Sequence, residues 1–348
     1  MPSWKNLVRP AIEKLAPFSS ARSETAGGSD AIYLDANENP FDAGGRGYNR
    51  YPAPQPPELT ALFAELYGAK PDHVFVSLGS EAGIDQIIRV FCESGRDAAM
   101  ITPPTFALYA IFAAVQGAEI LRVPLRSQDL QLDLPAIRAA WMPRCKLLFL
   151  ATPNNPMGSL LRRDEILAVC AELGGRGMVV VDEAYQEFSD QPSLIPDIAQ
   201  HDNLVILRTL SKAYGLAGVR CGAVIAHPTL PTYLRKVMTA YPIPRTTTDA
   251  VLAAMTPEKQ AQRTKEAGIL KSERERMAKA LKGCPGIRKI FPSAGNFLAL
   301  EVDDVPSFLA RLKREGVVAR DRRGDWPDLV RLTIGTPADN DRVLAILS

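Results

Sequence analysis

One run of residues constrains this chain more than any other. Met178-Val179-Val180-Val181 is apolar without interruption and ends on Asp182. A half-exposed strand alternates apolar and polar residues, whereas a strand apolar at every position has both faces covered. Similar short runs are predicted strands at Val74–Ser77, Ala98–Thr102, Ile120–Val123, Lys146–Ala151, Leu204–Leu207 and Cys221–Ala226. Between them lie stretches with helical spacing, predicted at Ala82–Cys92, Phe106–Gln116, Leu134–Trp141 and Asp164–Leu173. Strands alternating with helices predict an α/β fold, with a mainly parallel, doubly wound sheet covered on both sides.

After about residue 245 the pattern changes. A long charged helix is predicted over Pro257–Leu281, then strands at Ile287–Phe291 and Phe297–Val302, a helix near Pro306–Glu315, a strand at Leu329–Ile334 and a last helix. The chain therefore divides into three expected parts. An N-terminal arm, residues 1–40, packs on the smaller domain; a large domain spans 41–244; a smaller α/β C-terminal domain spans 245–348. The stretch 41–58, rich in proline and glycine, is an ordered loop or connector.

Composition narrows the function classes. Lysine and arginine number 41 against 39 acidic residues, so bulk charge gives no argument for nucleic acid or an anionic membrane as partner. The five cysteines are widely spaced and none forms C-x-x-C, which argues against a disulfide framework or a zinc site; no metal is expected. The first fifteen residues carry Lys5, Arg9, Glu13 and Lys14 and lack the apolar run of a signal peptide. No stretch approaches the roughly 18 apolar residues of a membrane span. A cytoplasmic protein is expected.

Four segments hold residues that chemistry uses. The first is Thr209-Leu210-Ser211-Lys212-Ala213-Tyr214-Gly215-Leu216-Ala217-Gly218-Val219-Arg220-Cys221-Gly222. It follows a predicted strand, so it leaves the sheet at a strand end, where open α/β sheets bind ligands. Its hydroxyls and guanidinium can hold a phosphate while the lysine presents an amine. The second is Val179-Val180-Val181-Asp182-Glu183-Ala184-Tyr185. A carboxylate at the end of a buried strand can hold a protonated ring nitrogen, bind a metal or cap a helix; the lack of nearby histidines weakens the metal reading. The third, Thr152-Pro153-Asn154-Asn155-Pro156-Met157-Gly158, makes a rigid turn whose asparagine amide can donate to a ring oxygen. In the fourth, Leu78-Gly79-Ser80-Glu81, Ser80 is placed to cap a helix whose free amides favour a phosphate. Each feature alone is also a common structural one. His73, His201 and His227 fall outside all four and read as structural or solvated.

Taken together and in this order, the segments resemble the fold-type-I pyridoxal-phosphate aminotransferases, and within that family the chain is similar to the histidinol-phosphate aminotransferases. The likeness extends to Leu34-Asp35-Ala36-Asn37-Glu38-Asn39-Pro40, Arg50-Tyr51-Pro52 and Arg331-Leu332-Thr333-Ile334-Gly335-Thr336. The resemblance implies pyridoxal 5'-phosphate as cofactor, bound by the large domain as a Schiff base on Lys212, which also moves the proton at the substrate carbon. It further implies that Asp182 pairs with the pyridinium nitrogen and that Asn155 and Tyr185 hydrogen-bond the ring oxygen. Ser80 and Glu81, through backbone amides, join Thr209, Ser211 and Arg220 on the cofactor phosphate. Phe106 stacks on the ring. Tyr51 reaches the phosphate from a second subunit, which makes the expected assembly a homodimer. Arg331 binds the donor's carboxylate or the substrate's phosphate, Arg320 is a second phosphate ligand, and Asn37 belongs to the substrate set.

The implied reaction is transamination between histidinol phosphate and 2-oxoglutarate, giving imidazole acetol phosphate and glutamate, in histidine biosynthesis. Its partners are a small-molecule amino donor and an oxo-acid acceptor. Three departures from the family's pattern bear on the substrate: Met157 stands where threonine is usual, Phe106 where tyrosine is usual, and Phe18 where a tyrosine often touches the substrate. They leave open an aromatic amino-acid aminotransferase or a lyase acting on phosphothreonine. A silent sensor domain of this fold ranks last, because the lysine is present.

Overall fold

The computed structural model describes residues 1–17 and 32–348. The apolar runs form a seven-stranded sheet in the order β1-β7-β6-β5-β4-β2-β3. Its strands are β1 (Val74–Ser77), β2 (Ala98–Ile101), β3 (Glu119–Arg122), β4 (Cys145–Ala151), β5 (Met178–Asp182), β6 (Leu204–Thr209) and β7 (Gly222–Ala226). β7 runs antiparallel to both its neighbours, and every other pairing is parallel. Side chains alternate between two cores, as strand geometry demands. Val179, Val181, Leu148 and Ile206 face one core; Met178, Val180, Phe149 and Val205 face the other. The unbroken run in β5 is thus explained by apolar packing on both faces.

Register decides what meets at the strand ends. Ala151 on β4 pairs with Asp182 on β5, and Asp182 pairs with Leu207 on β6. Antiparallel β7 sets its first residue, Gly222, beside Thr209 of β6 and Ser77 of β1. Residues far apart in sequence are thereby gathered along one sheet edge.

The second sheet has the order β10-β11-β9-β8, all antiparallel: β8 (Ile287–Phe291), β9 (Phe297–Val302), β10 (Arg320–Asp321) and β11 (Leu329–Thr333). One face packs Leu298, Leu300, Val330 and Leu332 against Met277, Phe308, Leu312, Val343 and Leu347 of three helices, Pro257–Ala280, Val305–Arg314 and Pro337–Leu347. Arg331, between Val330 and Leu332 on β11, falls on the other face.

Two expectations about organisation need correction. The first residues pack on the large domain, not on the smaller one. Trp4 is fully buried, meets Phe91 edge-on at 5.8 Å, and donates its indole N–H to the Asp202 carbonyl at 2.7 Å. The Arg9 amide donates to the Val90 carbonyl at 3.0 Å, and the Arg9 side chain pairs with Glu93. Trp4, Leu7, Val8 and Ile12 need an apolar surface, and the helices Gly79–Phe91 and Thr229–Val237 supply it together. Phe18 and the rest of 18–31 lie outside the described residues. The helix Arg245–Ala254, expected in the smaller domain, buries Val251 in the large core, and Thr247 donates to the Val219 carbonyl at 3.1 Å. This helix therefore packs against elements of the seven-stranded sheet although it lies beyond residue 244.

Candidate active site

A cavity of about 380 Å³ opens at the gathered strand ends. Its floor carries Asp182, which is 7% exposed. The carboxylate accepts the Tyr109 hydroxyl on Oδ2 at 2.9 Å and the Ala184 amide on Oδ1 at 3.0 Å. Burial pushes this carboxyl up to about 6, against the hydrogen bonds that favour its charged form. A buried acid of this kind favours a cationic partner with its own proton.

Lys212 stands in the loop after β6 and opens into the same cavity. Burial lowers its proton affinity, Arg331 lowers it further, and Asp182 and Glu81 act the other way. The neutral amine, which is the nucleophilic form, is thereby favoured. Tyr185 lies beside it, with Nζ 5.6 Å from the ring centre. Asn155 joins Tyr185 to the far side of the cavity. Its amide donates to the Tyr185 hydroxyl at 3.4 Å, and its carbonyl accepts Arg331 Nη1 at 2.6 Å. Burial pushes the Tyr185 phenol up to about 12.

At one end, the first turn of the helix Gly79–Phe91 meets Thr209, Ser211 and Arg220. Thr209 Oγ1 donates to Ser211 Oγ at 3.0 Å, and Arg220 Nη1 reaches the same oxygen at 3.4 Å. Arg220 has φ +57°, in the left-handed region, a strain that proteins tend to keep at functional sites. Gly222 permits the close approach: a Cβ there would lie 2.7 Å from the Arg208 carbonyl and 2.8 Å from the Ser80 amide. Ser80 lies inside the first helical turn and does not cap it, because the helix begins at Gly79, two residues earlier than a cap at Ser80 would require. Hydroxyls, first-turn amides and a guanidinium converge there, the donor set that suits a phosphate. Glu81 also turns its carboxylate to Arg220 Nη2, at 3.2 Å.

Ser80, Glu81, Phe106, Asn155, Asp182, Tyr185, Thr209, Ser211, Lys212, Arg220, Arg320 and Arg331 all line this one cavity. Tyr51 and Asn37 do not. They line a separate groove, where Tyr51 is half-exposed and stacks on Tyr241 at 4.3 Å. Two cavity residues escaped the sequence reading. Tyr109, fully buried and stacked on Phe149 at 5.0 Å, supplies the hydroxyl on Asp182. Arg322 follows β10 and lines the end opposite Arg220, together with Arg320 and Arg331. Alternation two residues past Arg320 was its only available signal.

A family model described as aminotransferase class I and II matches residues 29–347. The chain belongs to this family. A histidinol-phosphate aminotransferase of Xylella fastidiosa is 42% identical over 358 residues, covering 99% of this chain and 96% of the relative. The crystal structure of the histidinol-phosphate aminotransferase from Clostridium acetobutylicum matches the fold with a TM-score of 0.78 at 21% identity, over 87% of this chain and 91% of that one. The enzyme from Sinorhizobium meliloti, solved in complex with pyridoxal-5'-phosphate, gives a TM-score of 0.74 at 24% identity, over 86% of this chain and 82% of that one.

The aminotransferase uses pyridoxal 5'-phosphate. The donor set fits that group: a buried acid with raised proton affinity, an amine held toward neutrality, Phe106 on the cavity wall, and a phosphate-binding end. Among the described residues, no helix is long and apolar enough to cross a membrane.

Proposed function

We propose that this aminotransferase moves an amino group between histidinol phosphate and 2-oxoglutarate, giving imidazole acetol phosphate and glutamate, as a step of histidine biosynthesis in the cytoplasm. The observation that carries the reading is the pairing of Arg320 with Arg331 across the β10–β11 ladder, at the cavity end away from Arg220. Like charges directly opposite each other are destabilising. Their retention is accounted for by a substrate anion that binds between them. The near full-length relatives that carry the histidinol-phosphate name point to a phosphate.

In this reading Lys212 would hold the cofactor covalently, and Asp182 would keep the proton on its ring nitrogen. Bound in this way, the cofactor supplies an electron sink for the electrons left when the substrate's Cα–H bond breaks. Displaced from the cofactor by the substrate's own amine, Lys212 Nζ would be free to take that proton and return it at the neighbouring carbon, which needs an amine that is neutral at the moment of transfer. Tyr185 and Asn155 orient the ring oxygen; Arg220, Thr209, Ser211 and the Ser80 and Glu81 amides hold the cofactor phosphate. Arg331 binds a donor carboxylate or the substrate phosphate. Donor and acceptor use one site in turn, so ping-pong kinetics are expected.

The same reading makes the active unit a homodimer. Tyr51 is half-exposed on its own chain and lies outside that chain's cavity, free to serve a second copy. Asn37 shares its groove and belongs to the same shared surface. A solution mass of one chain at assay concentration would remove this part.

The deciding assay compares histidinol phosphate, tyrosine and phosphothreonine on the purified holoenzyme with 2-oxoglutarate. The proposal expects kcat/KM for histidinol phosphate to exceed that for tyrosine by at least about tenfold, the scale of one charge-assisted contact. Equal use of tyrosine replaces it with an aromatic aminotransferase. Release of carbon dioxide from phosphothreonine replaces it with a lyase.

A further inference from the structure

Three arginines line the end of the cavity away from Arg220, and they are not equivalent. The Arg322 amide donates to the Leu329 carbonyl at 2.9 Å, continuing the β10–β11 ladder one step beyond Asp321. Side chains two residues apart on an extended strand share a face, so Arg322 projects on the same side as Arg320. Arg320 is exposed. Arg331 Nη1 is already engaged by Asn155 Oδ1. Arg322 is only 15% exposed; its Nε lies 2.8 Å from Asp325 Oδ2 as an ion pair, yet both Nε and Nη2 are buried without a hydrogen-bond partner. Buried guanidinium nitrogens are ordinarily hydrogen-bonded, because a desolvated donor left unpaired is costly.

Charge points the same way. Asp325 is the carboxylate set against these three guanidiniums, so this end carries an excess of two positive charges. Neighbouring Asp321 and Arg323 pair with each other on the surface. A phosphate dianion matches that excess, and a single carboxylate leaves half of it uncompensated.

We propose that Arg322 is a specificity-determining residue: its free Nη2 takes an oxygen of the substrate's phosphate, with Asp325 holding the guanidinium in place. This rests on the phosphorylated substrate proposed above.

The test uses the cofactor-loaded enzyme, so that the Arg220 end is filled, and compares wild type with Arg322→Gln and with Arg322→Gln/Asp325→Asn. The double variant keeps the excess of two charges and leaves no unpaired acid. Both are expected to lose at least about thirtyfold in kcat/KM for histidinol phosphate, the lower end for a buried charge-assisted contact. Inorganic phosphate should weaken as a competitive inhibitor by a similar factor. Turnover of dephosphorylated histidinol should stay within about twofold, since that substrate leaves the arginine end empty. Equal losses on both substrates would reveal a merely structural residue and overturn the proposal. Recovery of wild-type values in the double variant would also overturn it, because Arg322 would then act only by neutralising Asp325. If wild type does not prefer histidinol phosphate to tyrosine, the substrate reading fails; the phosphate inhibition constants still decide whether Arg322 binds an anion.

Discussion

At one end of the cavity, Thr209, Ser211 and Arg220 sit on the connection between two adjacent strands of a seven-stranded sheet, against the first turn of a thirteen-residue helix. At the other end, Arg320, Arg322 and Arg331 come from an edge strand, the loop after it and the neighbouring strand of a smaller sheet. The first end is internally satisfied: Arg220 already pairs with Ser211 and Glu81. The second end is frustrated, with Arg320 opposite Arg331 and Arg322 Nη2 unpaired. A group that stays bound suits the preorganised end, and a group that comes and goes suits the frustrated one. Variants at the two ends should therefore fail in different ways.

The largest effect is expected from the floor between them. Asp182→Ala removes the acid proposed to hold the cofactor's ring nitrogen, and unmaking one partner of a buried charge pair costs about 3–5 kcal/mol. Turnover of every substrate should fall by at least about a hundredfold. Steady-state assays with histidinol phosphate and with glutamate check this; a loss confined to one substrate would break the proposed division of labour.

Next comes Arg331→Ala, with kcat/KM falling at least about thirtyfold for the phosphorylated substrate, for glutamate or for both. Its affinity for the cofactor should be unchanged by absorbance titration, which separates the two ends. Arg320→Ala should do less, since that side chain is exposed and its contacts are screened, and should harm histidinol phosphate more than glutamate. An equal effect of Arg320→Ala on both substrates would blur the comparison.

The smallest effect belongs to the cofactor-free protein. Burial raises the Asp182 carboxyl from 3.8 to about 6, so the folded state holds a proton that the unfolded chain has released. This group's contribution to stability is full below about pH 4 and is lost as pH rises through about 6. Asp182→Asn removes that slope. Urea unfolding at pH 4.5 and pH 7.5 should show wild type losing on the order of 1–2 kcal/mol relative to the variant. Parallel curves would show that the carboxyl is better solvated than its burial implies.

The same contrast explains what the sequence disclosed. Lys212, Asp182 and Arg220 stand in short segments at the ends of apolar strands, so the periodicity that marks β5 and β6 also marks the residues that follow. Tyr109 carried no such signal. In sequence it is one more aromatic in an apolar helix, and only the fold brings its hydroxyl to a carboxylate 73 positions away. Arg322 was hidden in Arg320-Asp321-Arg322-Arg323, which reads as a solvated basic run. Arg323 is indeed paired with Asp321 at the surface, and it takes the β10–β11 register to separate it from its neighbour. The N-terminal arm was misassigned because Trp4, Leu7, Val8 and Ile12 declare that they will be buried but not against what. Its continuation to Phe18 lies outside the described residues.

The central claim is that the amine on the cavity floor carries the cofactor, and it can be tested on the intact protein. Holoenzyme reduced with borohydride, digested and mapped by mass spectrometry should lose its yellow colour and carry a pyridoxyl phosphate label on Lys212 alone. Lys212→Ala should take no label and show no turnover, because the covalent anchor and the proton carrier vanish together. A label on another lysine of the wild-type protein, or none, would contradict the account.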